Sequence, residues 1–357
     1  MSETADMIAD SIGRILSDQV NRTVLDGIEQ GTWPTILWNA LEEAGFTAIL
    51  GEPGAEAASQ WADAYGVFHA IGYHTAPVPL AETALANWLC AVHGLPAPAG
   101  PLTFFDAGDT ARLDNGALLF DARVRAVPWA RHAKAFVVEA RVGGQNALAL
   151  IAADASGLSI DAGANLAGEP LDTVRLERCR SVAHVFTDGP ADLLAHGALA
   201  RAAMMAGAVE VTLASSVEYV NQRVQFGRPI GKFQAIQQAL AQLAGAATSS
   251  QCVTLAAFSS VAGRPDRFEV GVAKIRAGQA AGLAPSIAHQ VHGAIGFTWE
   301  HTLHYATQRL WSWRAEYGTE AWWAAQLGRA AVARRSAHMW PDVTAHFTDS
   351  NGHAKAQ

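Results

Sequence analysis

Residues 219–238 carry the side chains of this chain that are best suited to bind a phosphorylated ligand. Arg223, Arg228 and Lys232 lie in a short turn between two stretches of helical pattern. Guanidinium groups bind phosphate bidentately, and a glycine such as Gly227 lets the backbone approach a ligand closely. An ordinary basic loop has the same composition, because charge clusters are usually solvated. The segment therefore indicates a phosphate site, and a solvated basic loop remains the alternative interpretation.

Long helical patterns surround this turn and must position it. Asp188-Gly-Pro190 opens the first of them, because proline is tolerated at the first position of a helix. Alanine-rich segments with small residues then predict four long antiparallel helices, over residues 190–223, 233–262, 266–292 and 318–337. Four such helices form a bundle, which we predict for residues 189–345.

The rest of the chain has two other patterns. Apolar residues recur at helical spacing in residues 1–98, for example at Ile8, Ile12 and Ile15. Short alternating runs bounded by turn residues predict a small antiparallel β-domain over residues 99–188, with strands at 117–127, 135–140, 148–152, 158–161 and 174–176. The predicted fold class is therefore α+β, mainly α, with a flexible polar tail at residues 346–357.

Composition excludes several classes of function. The 357 residues are 50% hydrophobic and 16% charged, enough for a large core in two or three domains. A net charge of −8 and a pI near 5.9 disfavour a nucleic-acid partner. No signal peptide and no uninterrupted apolar run of ~18 residues is visible, so no membrane partner is expected. Cys90, Cys179 and Cys252 are predicted to be buried reduced thiols of a cytoplasmic protein.

Two segments resemble signatures of the acyl-CoA dehydrogenase family. Arg223, Phe226 and Gln234 match the signature Arg-x-x-Phe-Gly-x-x-x-x-x-x-Gln. The second signature is matched by Gln290-Val-His-Gly-Ala-Ile-Gly-Phe297. Residues 37–46 and 77–83 also resemble the opening helical domain of the family. The resemblance implies a helical domain, a β-domain and a four-helix bundle, with FAD as the cofactor.

The resemblance also implies roles for the matching residues. In the family, two subunits bind one flavin, and the bundle of one subunit holds the pyrophosphate and adenosine. Arg223 would pair with a phosphate oxygen, and Phe226 belongs to the same signature. Gln234 and Gln290 would supply amide donors, while Gly293 would leave room for the nucleotide. An alternative for Gln290 and Gly293 is an ordinary helix C-cap. Ala294 replaces the second glycine that the family usually has there.

The β-domain lacks two stretches that hold the flavin ring in the family, one of the Thr-Glu-Pro…Gly-Ser type and one like Trp-Ile-Thr. Val127-Pro-Trp-Ala130 stands roughly where ring contacts would arise, with a core aromatic residue as the alternative interpretation. The resemblance therefore implies that this chain does not hold the reactive ring by itself.

The catalytic base is the most discriminating test. Removal of the α-proton of a CoA thioester requires a carboxylate near Cα while the flavin takes the β-hydride. By resemblance, the two family positions for this base fall on Tyr317 and Gly197. Glu316 stands one residue before the family position at 317, and on a helix end one residue corresponds to a rotation of ~100° about the helix axis. Glu316 remains the candidate base if the turn shifts, whereas Glu210 is expected to face solvent or another subunit.

Histidines and tryptophans cluster near the second signature. The pattern does not predict a metal site at His289, His292, His301 and His304, because the first pair straddles a glycine-rich helix end. Five tryptophans are expected to form a subunit interface or a wall of an acyl pocket: Trp299, Trp311, Trp313, Trp322 and Trp323.

Taken with its missing stretches, the chain resembles the shorter, degenerate subunits of heterotetrameric acyl-CoA dehydrogenases of steroid side-chain degradation. The hypothesis is a base-lacking subunit of an FAD-dependent enzyme that dehydrogenates an acyl-CoA substrate between Cα and Cβ. Its expected partners are a homologous acyl-CoA dehydrogenase subunit and an electron-transfer flavoprotein. Two alternatives stay open: a self-sufficient homomer that uses Glu316, and a non-catalytic scaffold without flavin.

Overall fold

A computed structural model of the protein describes residues 2–51, 54, 57–261 and 264–333. The predicted tail at 346–357 and the last predicted residues of the bundle lie outside this range. The N-terminal part has five helices: α1 (Glu3–Gln19), α2 (Arg22–Glu29), α3 (Thr35–Glu43), α4 (Ala57–Tyr73) and α5 (Leu80–His93). Ser2 and Asn21 begin the first two, since their side-chain oxygens accept hydrogen bonds from first-turn N–H groups.

Eight strands follow, arranged in two four-stranded sheets. They are β1 (Leu102–Asp106), β2 (Ala111–Asp114), β3 (Ala117–Pro128), β4 (Ala135–Val142), β5 (Gln145–Ala152), β6 (Leu158–Asp161), β7 (Leu171–Arg180) and β8 (Ala183–Thr187). The strand orders are β1-β4-β5-β8 and β2-β3-β7-β6. The β1–β4 pair is parallel, unlike the fully antiparallel domain expected, because the chain crosses to the other sheet between these strands.

The C-terminal part contains the four predicted helices and a fifth that was not predicted. They are α6 (Leu193–Gln222), α7 (Gln234–Ser259), α8 (Arg267–His292), α9 (Leu303–Ala315) and α10 (Glu320–Ala333). A two-stranded hairpin of β9 (Val224–Gln225) and β10 (Arg228–Pro229) joins α6 to α7. The central helix is α6, which packs against α4, α7, α8 and α9. The fold class predicted from the sequence is confirmed, with α9 and the parallel pair as additions.

Helix α6 is also the one described helix that is long and apolar enough, by length and composition, to cross a membrane. Its most apolar window has a mean hydropathy of 1.3, and 78% of that window is buried inside the protein. This burial is expected of a helix at the centre of a bundle, which is apolar on all sides.

Helices α4 and α6 cross with their backbones in contact. An added Cβ on Gly72 would lie 1.8 Å from the carbonyl oxygen of Met204, and one on Gly207 would lie 2.0 Å from that of His69. Any side chain at these two positions would therefore separate the helices. The N-terminal helices and the bundle share one continuous core, while the inner faces of the sheets enclose a second core around Phe120 and Phe136.

Helix α7 covers the bundle with one face and leaves the other open. Leu243 and Phe258 are fully buried, whereas Cys252 lies on the exposed side. The expectation that all three cysteines are buried is therefore wrong for Cys252, because the helix periodicity turns it outward. Cys90 and Cys179 are buried, and all three are free thiols.

Candidate functional site

The turn between α6 and α7, residues 223–234, forms a compact corner that we call the cationic corner. Arg223 ends α6, and its carbonyl accepts a hydrogen bond of 2.9 Å from the N–H of Ile230. Between them the hairpin projects Phe226, whose φ is 52° and which is 90% exposed. The corner is thus closed at its base and carries an aromatic side chain into solvent.

The polar groups of the cationic corner have few partners within the chain. Neither Arg223 nor Lys232 forms an ion pair with a described residue, and Arg228 lies over the ring of Phe233 at 4.3 Å. Helix α7 begins at Gln234 without a side-chain cap, so N–H groups of its first turn lack an intrahelical acceptor. An uncapped helix N-terminus beside arginines is suited to bind an anion.

The second signature lies at the same end of the bundle. The hydroxyl of Tyr219 donates to the carbonyl oxygen of His292 at 3.2 Å, and the two rings stack at 4.4 Å. Gln290 is exposed, and Gly293 ends α8 with a φ of 64°. An added Cβ on Gly293 would meet nothing within 4 Å, so its surroundings are open. The positive φ accounts for the glycine as a C-cap, and the open space would admit a ligand.

The histidines near this signature pack as aromatic residues. His289 stacks on Phe297 at 4.4 Å, and His292 lies edge-on to His301 at 4.7 Å. Burial lowers the pKa of all three histidines in this group. Among the described residues, no group of three or more His, Cys, Asp or Glu side chains is placed to hold a metal ion.

Glu316 lies in a buried ion-pair network at the opposite end of α9. Its Oε2 accepts from Nε of Arg201 at 2.7 Å, and its Oε1 accepts from Nδ2 of Asn165 at 3.2 Å. Nη2 of Arg201 donates to Glu82 at 2.5 Å. The side chains of Arg201, Glu82 and Glu316 are only 3%, 2% and 9% exposed. Both oxygens of the candidate base therefore have partners.

The network extends into the β-domain. Asn165 also donates to Glu169 at 3.0 Å, and Glu169 accepts from Nε of Arg309 at 3.0 Å and from Nε1 of Trp313 at 2.9 Å. These bonds hold the β6–β7 loop on α9. Burial raises the pKa of Glu82 despite the nearby guanidinium. For Arg201, burial favours a lower pKa, but the two carboxylates outweigh it and raise the pKa.

The two positions at which the family places its base come together in this fold. The ring of Tyr317 lies against Gly197, where an added Cβ would be 2.3 Å from the nearest ring atom. Phe104 packs beside the same ring at 5.7 Å, and the guanidinium of Arg201 lies 5.6 Å from its centre. The hydroxyl of Tyr317 is buried without a hydrogen-bond partner, and burial raises its pKa.

Lys274 and Trp323 hold the backbone of this turn. Nζ of Lys274 donates to the carbonyl oxygens of Trp313, Arg314 and Gly318 at 3.3, 2.9 and 2.8 Å. Nε1 of Trp323 donates to the carbonyl oxygen of Tyr317 at 3.0 Å. Burial lowers the pKa of Lys274 to about 8. No local pattern indicates Lys274, Arg201 or Asn165, because each contacts residues far away in the chain.

A cleft of about 500 Å³ lies between the β-domain and α9, lined among others by Ala126, Pro128, Trp311 and Glu316. Trp129 is not placed to contact a flavin ring in this cleft. It is 4% exposed and packs against Trp33, so the alternative interpretation, a core aromatic residue, is confirmed. Asn165 and Glu316, which line this cleft, are bonded to each other. Of the other polar lining groups, Ser312 donates to the carbonyl oxygen of Gln308 and the hydroxyl of Tyr317 is buried.

Glu210 belongs to a separate cluster on the outer side of α6. Its carboxylate pairs with Nε2 of His69 at 3.0 Å and accepts a hydrogen bond from Gln251. The bond from His69 lowers the pKa of Glu210, whose side chain is 40% exposed. The partly solvated position agrees with the sequence-based expectation and does not suit a general base of raised pKa.

The tryptophan cluster is split between core and surface. Trp313 and Trp323 are 0% and 1% exposed, whereas Trp299 and Trp311 are 60% and 42% exposed. Trp311 lines the cleft, and Trp299 contacts His304 on the surface. Trp313 and Trp323 thus belong to the core, a role that the sequence-based expectation of an interface or a pocket wall did not include.

Comparison with known proteins agrees with this geometry. Residues 191–332 match the family model of the C-terminal domain of acyl-CoA dehydrogenases. The acyl-CoA dehydrogenase FadE27 of Mycobacterium tuberculosis is 30% identical over 337 residues, which cover 83% of this chain and 88% of that protein. The acyl-CoA dehydrogenase IpdE2 of Mycolicibacterium smegmatis is 29% identical over 313 residues, covering 85% and 91%. The chain belongs to the acyl-CoA dehydrogenase family.

A solved structure supports the fold. The Tcur3481–Tcur3483 steroid ACAD, in its G363A variant, has a TM-score of 0.81 and 23% identity, covering 94% of this chain and 99% of that chain. This likeness, at such low identity, concerns the fold alone. It places the helical domain, the two sheets and the bundle in a common arrangement.

Members of this family are FAD-dependent, so the described residues can be tested for their fit to FAD. The cationic corner fits a pyrophosphate, since Arg223 has no ion-pair partner among the residues described and the first turn of α7 has no side-chain cap. The cleft fits the flavin ring poorly. The side chains of Asn165 and Glu316 are occupied by each other and by Arg201, so few donors remain for ring oxygens and nitrogens.

Proposed function

We propose that this chain is a base-lacking subunit of an FAD-dependent acyl-CoA dehydrogenase, whose cationic corner completes the pyrophosphate and adenosine half of a flavin site on a homologous partner. One observation carries the proposal. Arg223 and Lys232 form no ion pair with any described residue and the first turn of α7 has no side-chain cap, while the carboxylate nearest the family's base position is paired on both oxygens.

In this proposal the residues of the chain bind and orient. Arg223 neutralises the pyrophosphate, the first turn of α7 donates backbone hydrogen bonds, and Gly293 leaves space for the nucleotide. Phe226, which extends into solvent, contacts the partner. FAD, when bound, would supply the hydride acceptor for Cβ of the acyl group. The partner supplies the carboxylate that removes the α-proton, because Tyr317 and Gly197 cannot.

The remaining elements of the proposal rest on relatives. The solved steroid ACAD is named for two proteins, Tcur3481 and Tcur3483, which supports a heteromeric enzyme and a CoA thioester of a steroid side chain. By analogy within the family, an electron-transfer flavoprotein reoxidises the flavin. We propose the cytoplasm as the location, in agreement with the free thiols.

The test is the flavin content of the complex formed with a co-expressed homologous subunit. Arg223→Ala removes a charge-assisted contact worth about 1.5–3 kcal/mol, so FAD should bind roughly 10- to 150-fold more weakly. Arg329→Ala is the matched control, because this exposed arginine contacts only Gln326 among the described residues. Unchanged FAD affinity in Arg223→Ala would favour a scaffold without flavin.

A second candidate function is a homomeric dehydrogenase in which Glu316 is the base. It is favoured by the position of Glu316 on the wall of the cleft. The chain purified alone would then be yellow and would reduce its flavin on addition of an acyl-CoA. Glu316→Gln should abolish that reduction while FAD stays bound. A colourless chain that gains flavin only with its partner excludes this candidate.

A further inference from the structure

Residue 317 combines two features that disfavour a tyrosine. Its backbone has a φ of 53°, in the left-handed region that a bulky residue rarely adopts. Its hydroxyl is buried without a hydrogen-bond partner in the part of the chain that the structure describes, although a buried polar group normally has one. Violations of local rules of this kind persist only where the surrounding structure enforces them, and they concentrate at functional sites.

The surroundings of the ring are shaped to accept it. Gly197 lies in the first third of α6, where a glycine lowers helix stability, and any side chain there would collide with the ring. Phe104 of β1 and the guanidinium of Arg201 cover other sides of the ring. The ring therefore fills a space between α6 and β1 that Gly197 leaves open.

The backbone of the turn is fixed from outside. Lys274 on α8 donates to the carbonyl oxygens of Arg314 and Gly318, on the two sides of the tyrosine. Trp323 on α10 donates to the carbonyl oxygen of Tyr317 itself. Because Lys274 is fully buried and Trp323 nearly so, the turn cannot rotate without leaving these groups unpaired.

We propose that Tyr317 is a plug that occupies the space for the reacting end of an acyl thioester in this subunit. The proposal rests on the proposed function, in which the partner carries the chemistry. The plug makes the enzyme bind acyl-CoA at the partner's site only, so that no substrate is held where no base can act on it. Tyr317 is thus a residue that determines where the substrate binds.

The experiment counts acyl-CoA sites in the assembled protein. Butyryl-CoA is titrated calorimetrically into the complex, with free CoA as the control ligand. Tyr317→Gly removes the ring and suits the left-handed backbone, so the bound butyryl-CoA per complex should double. Tyr317→Phe keeps the ring and should leave the number unchanged. If Tyr317→Gly is unstable, Tyr317→Asn replaces it, since asparagine tolerates the same backbone.

Two results would overturn the proposal. One is a folded Tyr317→Gly complex that binds no more butyryl-CoA than the wild type. The other is a wild-type complex that already binds butyryl-CoA at this subunit. The FAD content of each variant is measured in parallel. If only the plug proposal is wrong, FAD binding still depends on Arg223. If the proposed function is wrong, FAD binding does not depend on Arg223, however many butyryl-CoA molecules the complex binds.

Discussion

The cationic corner and the Glu316–Tyr317 turn lie at opposite ends of α6 and differ in how their polar groups are used. In the corner, Arg223 forms no ion pair within the described ranges, and the first turn of α7 is exposed and has no side-chain cap. In the turn, Glu316 is paired with Arg201, and three carbonyl oxygens are held by Lys274. Arg201, which contacts Glu316, lies near the start of α6 and Arg223 ends that helix, so about 33 Å of helix separates the two regions.

This difference indicates where the chain is complete and where it needs another molecule. Buried polar groups without partners lower stability, so a closed region must satisfy them internally. Exposed donors are solvated and remain available to a ligand at little cost. The polar groups of the turn are therefore satisfied within the chain, whereas those of the cationic corner are available to form one half of a binding site.

The largest effect should follow from Arg201→Met. The substitution leaves the carboxylates of Glu82 and Glu316 buried without their cation, so the free energy of unfolding should fall by about 3–5 kcal/mol. Urea denaturation measures it. Arg267→Met is the control, because its ion pair with Asp192 is on a 55% exposed side chain and should contribute no more than about 1 kcal/mol. Equal losses in the two variants would mean that the turn is not a closed network.

A smaller, pH-dependent effect is expected from Lys274. Its pKa of about 8 lies below the ordinary value of 10.5, so between these values the unfolded chain binds more protons than the folded one. The free energy of unfolding of the wild type should therefore rise from pH 8 to pH 10.5, by up to about 3 kcal/mol, relative to Lys274→Met. Chemical denaturation of both proteins across this range gives the difference. A flat difference would show that Lys274 is solvated.

The smallest effect is expected in the cationic corner. Arg223→Ala in the chain alone should change the free energy of unfolding by less than about 0.5 kcal/mol, because the side chain has no ion pair with a described residue. Thermal unfolding beside the Arg329→Ala control measures it. A loss as large as that of Arg201→Met would make the corner structural and remove the contrast between the two regions.

Local patterns predicted most of the elements. The strand at residues 158–161 agrees with β6, and the predicted helices 233–262 and 266–292 contain α7 and α8. Helix α9 escaped prediction because its buried side includes His304, Thr307 and Arg309, which conceals the apolar periodicity. The parallel pairing of β1 with β4 depends on contacts between sheets and leaves no trace in either strand.

The candidate site was predictable only where its residues are close in sequence. The cationic corner is one continuous segment, so its charges and glycines could be recognised together. The partners of Glu316 come from elsewhere: Arg201 is 115 residues away and Asn165 is 151 residues away. Nothing in the pattern around Glu316 indicates that both oxygens are occupied, since that depends on how three parts of the chain pack.

The glycine crossing of α4 and α6 bears on attempts to build chimeras from this protein. At Gly72 and Gly207 the backbones of α4 and α6 touch, and a side chain at either position would collide with the other helix. The C-terminal segment at 191–332 therefore cannot be joined to a foreign amino-terminal half unless the matching helix of that half also lacks a side chain at the crossing. Exchange of modules between paralogues should succeed only when the foreign amino-terminal half has a glycine at the position of Gly72.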